Sequence, residues 1–282
     1  MTWYTTGSVA EFLAAAGTFL AARPAEHTIL LSAADTVRTR GGTGYGGEAP
    51  LFGWWQPDGA AVAGAFLRVP PFPVVLTGVP PDAAAQLARE LAAAGHRLPG
   101  VNADVDVAET FAAEWQKHTG AAVELGWRSR LFRLGTLVPP RPAPPGKARV
   151  AGTADRALLV DWYQAFGVAV GDPMHHADEM IDDRLGSGGL TLWEVDGVPV
   201  ALAGVTPPLA GMTRVGPVYT PPEHQRRGYG GAVTAAVSRA ARDAGVAEVV
   251  LFTDLANPTS NALYTRLGYR PVEDRVVLRF PS

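Results

Sequence analysis

A run of prolines divides this chain more firmly than any other local feature. Pro139-Pro140-Arg141-Pro142-Ala143-Pro144-Pro145-Gly146 holds five prolines in its first seven positions. Proline fixes φ and carries no N–H donor, so the run can neither continue a helix nor enter a central strand. It favours an extended, semi-rigid spacer. The expectation is a linker over 139–147, separating a domain at 1–138 from a second at 148–282. Both pieces are of ordinary domain size, and the 282-residue length fits two of them.

Composition removes several classes of function. The absence of cysteine excludes disulfide scaffolds, thiolate zinc sites, iron–sulfur clusters and a cysteine nucleophile. A net charge of −3 leaves no basic footprint, so no nucleic-acid partner is expected. No uninterrupted apolar stretch is long enough to span a bilayer, so no membrane partner is expected either. The start, MTWYTTGSVAEF, lacks a basic region followed by an apolar run, and the chain is expected to be cytoplasmic.

Both segments mix helical and strand periodicity in a similar order. In the second, helices are predicted over 154–166 and 176–185, then strands over 190–195 and 198–205. Asp196-Gly197 between those strands is a two-residue hairpin signal. A strand at 212–219, a helix at 230–244 ending before Gly245, a strand at 248–253, a helix at 261–267 and a strand at 275–280 follow. The first segment reads helices at 8–22 and 26–38, strands at 51–55 and 60–69 around Pro57-Asp58-Gly59, then a strand at 74–77. Helices at 81–94 and 108–119 and a strand near 129–137 complete it. The fold class predicted is α/β, with a mixed sheet flanked by helices in each half, and the repeated order suggests an internal duplication.

The stretch with chemical content is Arg214-Val-Gly-Pro-Val-Tyr-Thr-Pro-Pro-Glu-His-Gln-Arg-Arg-Gly-Tyr-Gly-Gly231. It passes from a strand through a proline turn into a glycine-rich loop that opens a helix. Pro221 and Pro222 end the strand, and Gly228 and Gly230 permit backbone conformations and approaches that a Cβ would hinder. Unpaired N–H groups at the helix start converge there with the positive end of the helix dipole. Such a site suits an anion, most often phosphate, with Arg226 and Arg227 adding charge at the rim.

These residues resemble the GNAT family of N-acetyltransferases. Gln225-Arg226-Arg227-Gly228-Tyr229-Gly230 fits the family's acyl-CoA signature, Gln/Arg-x-x-Gly-x-Gly/Ala. Asn257-Pro-Thr-Ser-Asn-Ala-Leu-Tyr264-Thr-Arg-Leu-Gly-Tyr269 is similar to its second signature, in the right order and spacing. The resemblance covers about Arg149 to Phe280 and implies two acetyltransferase-like domains with a central mixed β-sheet. It further implies that backbone groups from Gln225 through Gly231 hold the pyrophosphate of acetyl-CoA, the co-substrate. Val218, Tyr219 and Thr220 would lie beside the thioester, Asn257 would bond the pantetheine amides, and Tyr264 would protonate the departing thiolate. The acceptor is expected to be an amine, a small molecule in the first reading. A protein or peptide amine, or a non-catalytic acyl-CoA sensor, stands as the alternative. No metal is expected, and homodimer formation is left open.

Some family members carry a carboxylate base on the strand matching Met212–Tyr219, but here that strand has none. Asp254 and Glu194 are the nearest candidates, each read more readily as structural, and a water chain is the remaining route. Asp172-Pro-Met-His175-His176-Ala-Asp178 is read as a polar loop or acceptor contact ahead of a metal site, and Trp162 and Phe166 as core or acceptor-lining. Arg40-Gly-Gly-Thr-Gly-Tyr-Gly-Gly47 leads into a strand and lacks a helix dipole, so it reads as a mobile loop. In the first half, Thr77-Gly78-Val-Pro-Pro81 runs straight into a helix without spaced glycines and arginines. That half is expected to be degenerate and not to bind acyl-CoA in the usual way.

Overall fold

The computed structural model describes residues 2–41, 48–171 and 177–281. The first half runs β1 (Thr2–Thr6), α1 (Val9–Ala22), α2 (Thr28–Arg40), β2 (Leu51–Gln56), β3 (Gly64–Arg68), β4 (Val74–Thr77), α3 (Pro81–Ala93), β5 (Gly100–Asp104), α4 (Val105–Thr119) and β6 (Glu124–Leu134). The second half repeats that order: β7 (Lys147–Val150), α5 (Arg156–Val170), α6 (Ala177–Gly186), β8 (Leu190–Val195), β9 (Val198–Val205), β10 (Met212–Tyr219), α7 (Tyr229–Asp243), β11 (Glu248–Asp254), α8 (Pro258–Arg266) and β12 (Tyr269–Arg279). Local chemistry sets many of the ends. Ser8 caps α1 by accepting the Glu11 N–H at 3.3 Å, and Asp104 caps α4 through the Val107 N–H at 3.2 Å. Asp196 and Gly197, at φ of 51° and 81°, make the tight β8–β9 hairpin that their sequence predicts. Strands β1 and β5 carry no alternation that betrays them, and the sequence reading lacks both.

The chain forms two compact units, and they do not divide at the proline run. One unit comprises Met1–Leu131, Asp254–Ala256 and Val272–Ser282; the other comprises Phe132–Thr253 and Asn257–Pro271. The expected boundaries at 138 and 148 therefore fall inside the second unit. In the first unit the strand order is β1-β2-β3-β4-β5-β12, with β4 and β5 parallel and β12 antiparallel to β5 from Arg275↔Asp104 to Arg279↔Gly100. In the second the order is β7-β8-β9-β10-β11-β6, with β10 and β11 parallel. The first unit thus receives the chain from Val272 on, most of β12, and the second receives the end of β6 from Phe132 on. The two exchanged strands, β6 and β12, are 11 residues long. Phe132 and Leu134 at the end of β6 are buried in the second unit's core.

The proline run is a strap on the second unit. The Val138 N–H donates to Leu267 at 2.9 Å, and Trp193 Nε1 donates to the Pro145 carbonyl at 2.9 Å. Gly146 has a φ of 109° and lies so close to Trp193 Nε1 and the Glu194 carbonyl that a Cβ has no room. From there the chain enters β7, which pairs antiparallel with β8. A cavity of about 350 Å³ remains under the strap, between Pro139, Pro140, Ala143 and Pro144 and the α7 face at Ala232, Ala236 and Arg239. The prolines lie against α7 and beside Trp193.

In each unit the strands are covered on two faces. In the first unit, β3 is buried along its whole length: Ala65 and Leu67 pack under α1 and α2, and Phe66 under α3 and α4. A strand buried on both sides shows no polar alternation. In the second, Leu202 of β9 faces α5 and α6, and its neighbours Ala201 and Ala203 face α7.

The parallel pair in the first unit is closed by an arginine. Pairing of β4 with β5 ends at Val75↔Asn102, and Arg275 of β12 reaches into the space beyond. Its Nη2 donates to the carbonyls of Leu76 at 2.8 Å and Asn102 at 3.1 Å, and its Nε donates to Asn102 Oδ1 at 3.0 Å. Glu273 pairs with Nη1 at 2.9 Å. His27, 2% exposed, sits at the start of α2 with Nδ1 2.7 Å from the Thr77 hydroxyl. Burial, then the charges of Arg23 and Arg275, lower its pKa to about 4. A histidine lowered on folding stabilises the protein above its unfolded value of 6.5 and loses that contribution as pH falls through about 4. We expect about 3 kcal/mol of stability to be lost through this group between pH 7 and pH 4. Denaturant unfolding of wild type and His27→Phe at both pH values checks it. An equal pH dependence in the two proteins removes His27 from the account.

Candidate functional site

The site begins with an extra residue in β10. On β9, Val205 pairs with Val215 and Ala203 pairs with Val218, so Gly216 and Pro217 together oppose the single residue Gly204. That is a β-bulge, which bends its strand and leaves a backbone group outside the ladder. On the other side, β10 pairs with β11 only from Met212↔Glu248 to Val215↔Leu251. Beyond the bulge β10 stays with β9 through Tyr219↔Leu202, and β11 runs on to Asp254. The two parallel strands therefore part at Val215, and the half-buried Val218, Tyr219 and Thr220 lie past the fork. Val218 packs on the α7 side of the sheet and Tyr219 on the α5–α6 side.

The loop that follows is tied to this strand end. Gln225 Nε2 donates to the Thr220 carbonyl at 3.1 Å, and a Cβ on Gly230 would meet Thr220 Oγ1 at 3.3 Å. Arg226 and Gly228 both adopt the left-handed region, at φ of 62° and 84°. Left-handed residues alternating with others turn successive N–H groups inward, as in anion-binding nests. Gly228 is the residue before α7 and supplies no side-chain cap. The first bond across that end runs from the Ala232 N–H to the Gly228 carbonyl at 3.0 Å. The N–H groups of Tyr229, Gly230 and Gly231 precede it, and no acidic residue stands in the first turn. Gln225, Arg226 and Arg227 are exposed at the rim. The loop therefore presents a cluster of donors with a net positive field. Two of its residues also serve the core. The Tyr229 side chain is buried under the sheet, which leaves only its backbone to face a ligand, and Gly231 gives room to Leu263 of α8, 3.0 Å from where its Cβ would be.

Helix α8 carries the second motif. Asn257 stands at its N-cap, with Oδ1 accepting the Ser260 N–H at 3.0 Å. This is a capping role. Tyr264 follows Leu263 and is 8% exposed, with its ring 6.0 Å from Tyr269 and 6.5 Å from Phe132. Burial, then the neighbouring Tyr269, push its pKa well above the ordinary phenol value, so it is protonated at neutral pH. Both carboxylates considered as bases are occupied. Glu194 accepts from Arg149 Nε at 2.8 Å, and the same guanidinium holds Asp155 through Nη1 at 2.8 Å. Asp254 accepts the Ala256 N–H at 2.8 Å in the turn after β11.

The α5–α6 face borders the bulge from the other side. Trp162 meets Tyr219 edge to face at 6.0 Å, and Phe166 is half-buried one turn on. Arg184 of α6 donates through Nη1 to the Gly216 carbonyl at 2.6 Å, and its guanidinium lies 6.0 Å over the ring of Tyr163. Neither Arg184 nor Gly204 stands out in the sequence, since no motif marks a residue that reaches a bulge from a distant helix. The polar loop at 172–176 and the glycine-rich loop at 42–47 lie outside the described residues. Asp178, the last residue of the first of these patterns, pairs with Arg156 at 3.2 Å. Among the described residues no group of three metal-ligating side chains comes together, and no helix is long and apolar enough to cross a membrane.

Comparison with known proteins bears on this arrangement. The acetyltransferase (GNAT) family model matches residues 156–269. An acetyltransferase of the GNAT family from Colwellia psychrerythraea is similar in structure, with a TM-score of 0.60 at 10% identity over 99% of both chains. A GCN5-related N-acetyltransferase from Sphaerobacter thermophilus gives 0.64 at 18% identity over 99% of this chain and 96% of that one. Another from Kribbella flavida gives 0.53 at 24% identity over 78% and 87%. No curated protein matches the sequence. The parted strands and the open helix start fall within the matched residues, and the likeness of fold runs the length of the chain. Residues 156–269 therefore form a domain that matches the acetyltransferase (GNAT) family, and the full-length fold is one that GNAT proteins share.

Proposed function

We propose that this protein transfers an acetyl group from acetyl-CoA to the amine of a small molecule, at a single site in its second unit. The observation that carries the reading is a coincidence of two backbone features. The fork after Val215↔Leu251 leaves strand-edge groups for an extended arm, and the uncapped N–H groups of Tyr229, Gly230 and Gly231 lie just beyond, in reach of an anion. An acyl-CoA has both parts, an amide-bearing arm and a pyrophosphate. In this reading Gln225 through Gly231 hold the pyrophosphate, mainly by backbone. Val218, Tyr219 and Thr220 flank the thioester, where an N–H polarises its carbonyl. The amine nitrogen attacks that carbon, the C–S bond breaks, and Tyr264 gives its proton to the sulfur. Asn257 both caps α8 and offers its remaining amide hydrogens to the arm. The acceptor enters past Trp162 and Tyr219, and water removes the amine's proton.

Calorimetric titration with acetyl-CoA should give one site per chain, because in the first unit Arg275 occupies the space beyond Val75↔Asn102. Two equivalent sites, or none, would contradict the reading. Turnover with panels of amines, amino acids and peptides then identifies the acceptor class, and binding without any turnover would favour the sensor alternative.

Gly228→Asp should weaken acetyl-CoA binding at least tenfold, about 1.4 kcal/mol, by setting a negative charge at the helix start. A Cβ there meets only Pro144, at 3.7 Å, and Asn tolerates the left-handed backbone as Asp does. Gly228→Asn is therefore the neutral control and should bind far better than the Asp variant. Equal affinities in the two would show that charge at this point is irrelevant.

Tyr264→Phe keeps the ring and its packing, so stability and acetyl-CoA affinity should hold. Turnover should fall by about 10²-fold, the low end for a positioned acid because a thiolate is already a fair leaving group. The loss should appear in kcat and not in KM. Turnover at the parent rate would make Tyr264 a packing residue.

A further inference from the structure

We infer that Arg184 is a positioning residue that fixes the β10 bulge and thereby aims the backbone at the acetyl thioester. The inference rests on the acetyltransferase reading of the site. A bulge strands a carbonyl that the ladder cannot satisfy. Here that carbonyl belongs to Gly216, and the Arg184 Nη1 donor reaches it from α6 at 2.6 Å. The local sequence makes way for this bond. Gly204, the one β9 residue opposite the bulge, has no room for a Cβ: it would run into Arg184 Nη1, with the Gly216 oxygen at 2.8 Å and the Tyr163 hydroxyl at 3.2 Å. Gly204 is thus the gap through which the guanidinium passes. Tyr163, fully buried on α5, lies under the guanidinium, and its hydroxyl has no partner among the described residues.

Among the described residues Arg184 pairs with no carboxylate, so its charge is not cancelled at the point of use. Its field is felt on β10, where burial and then Arg184 lower the pKa of Arg214 to about 10. Two effects at the thioester follow. The bond holds the Gly216–Val218 backbone in one orientation, which sets where the next N–H groups point. The charge adds positive potential behind them, where negative charge develops on the carbonyl oxygen during attack. Neither effect involves the pyrophosphate loop, so cofactor affinity should be untouched.

Acetyl-CoA labelled with ¹³C at the thioester carbonyl tests this by infrared spectroscopy, alongside steady-state kinetics. Bound to the wild type, the carbonyl stretch should move to lower frequency than in solution. Arg184→Met keeps the stem and removes donor and charge; most of that shift should vanish, with Kd for acetyl-CoA held within about twofold and kcat lowered about ten- to hundredfold. Arg184→Lys restores charge and one donor and should recover part of both signals. Gly204→Ala, which obstructs the same bond with Arg184 intact, should repeat the methionine phenotype and carries the test if Arg184→Met does not fold. An unchanged stretch and kcat in the variants overturns this inference and leaves the acetyltransferase reading standing. A raised KM with unchanged kcat overturns it as well, by assigning Arg184 to binding alone. If the wild type does not bind acetyl-CoA, the functional reading falls and this inference falls with it.

Discussion

Parallel strands that stop pairing partway along are the constraint on which the rest of this fold turns. A backbone N–H or carbonyl cannot be left in a protein interior without a partner. Once β10 leaves β11 after Val215, something must satisfy the groups beyond. The first unit meets the same problem after Val75↔Asn102 and solves it internally, by sending Arg275 across β5 to the Leu76 and Asn102 carbonyls. The second unit bends β10 with a bulge and ties its far end to the loop through Gln225 and Thr220. One architecture is therefore sealed in one copy and left available in the other.

Segments that cross between the halves of the sequence make each unit depend on both. The first unit's sheet has β12, the end of the chain, as the neighbour of β5, with Val276 and Phe280 in the core beneath α3 and α4. The second unit draws on β6 in the same way, burying Phe132 and Leu134. Neither half of the sequence contains all the strands of its own unit. Cutting the chain at the proline run would strip each unit of a strand and expose the edge it covers, with the attendant risk of aberrant pairing.

Readings from the sequence succeeded where the cause was local. Asp196-Gly197 dictates its own hairpin, Gly228 its own left-handed turn, and the Pro-Pro-Glu step its own strand end, because φ preferences act over a few residues. The order of elements in the second half was legible almost in full for the same reason. What could not be read was the outcome of distant pairing. β1 and β5 are short, and β5 lies between β4 and the distant β12, so its burial has no periodic signature. The domain boundary failed on a related point. Five prolines specify stiffness but say nothing of what the stiff segment lies against, and here Trp193 and α7 decide that. Arg184 was invisible because its partner is a backbone oxygen 32 residues away.

The same division between backbone and side chain bears on the missing base. The carboxylates that a search of the sequence turns up are spent on structure: Glu194 is locked by Arg149 to the edge pair β7–β8, and Asp254 closes a turn. What the site does possess in quantity is fixed dipoles, namely the strand edge past the fork, the nest around Arg226 and Gly228, and the open start of α7. Dipoles of this kind need no reorganisation as charge builds up, and in a site shielded from water they supply more of a barrier's reduction than a proton acceptor does. A thioester is already activated toward amines, and its thiol leaves readily near neutral pH, so the demand on acid–base groups is modest. Orientation and polarisation are then what the protein must provide. A bulge in β10, a glycine opposite it and a half-buried arginine bonded to its carbonyl are the features of this fold that suit the demand.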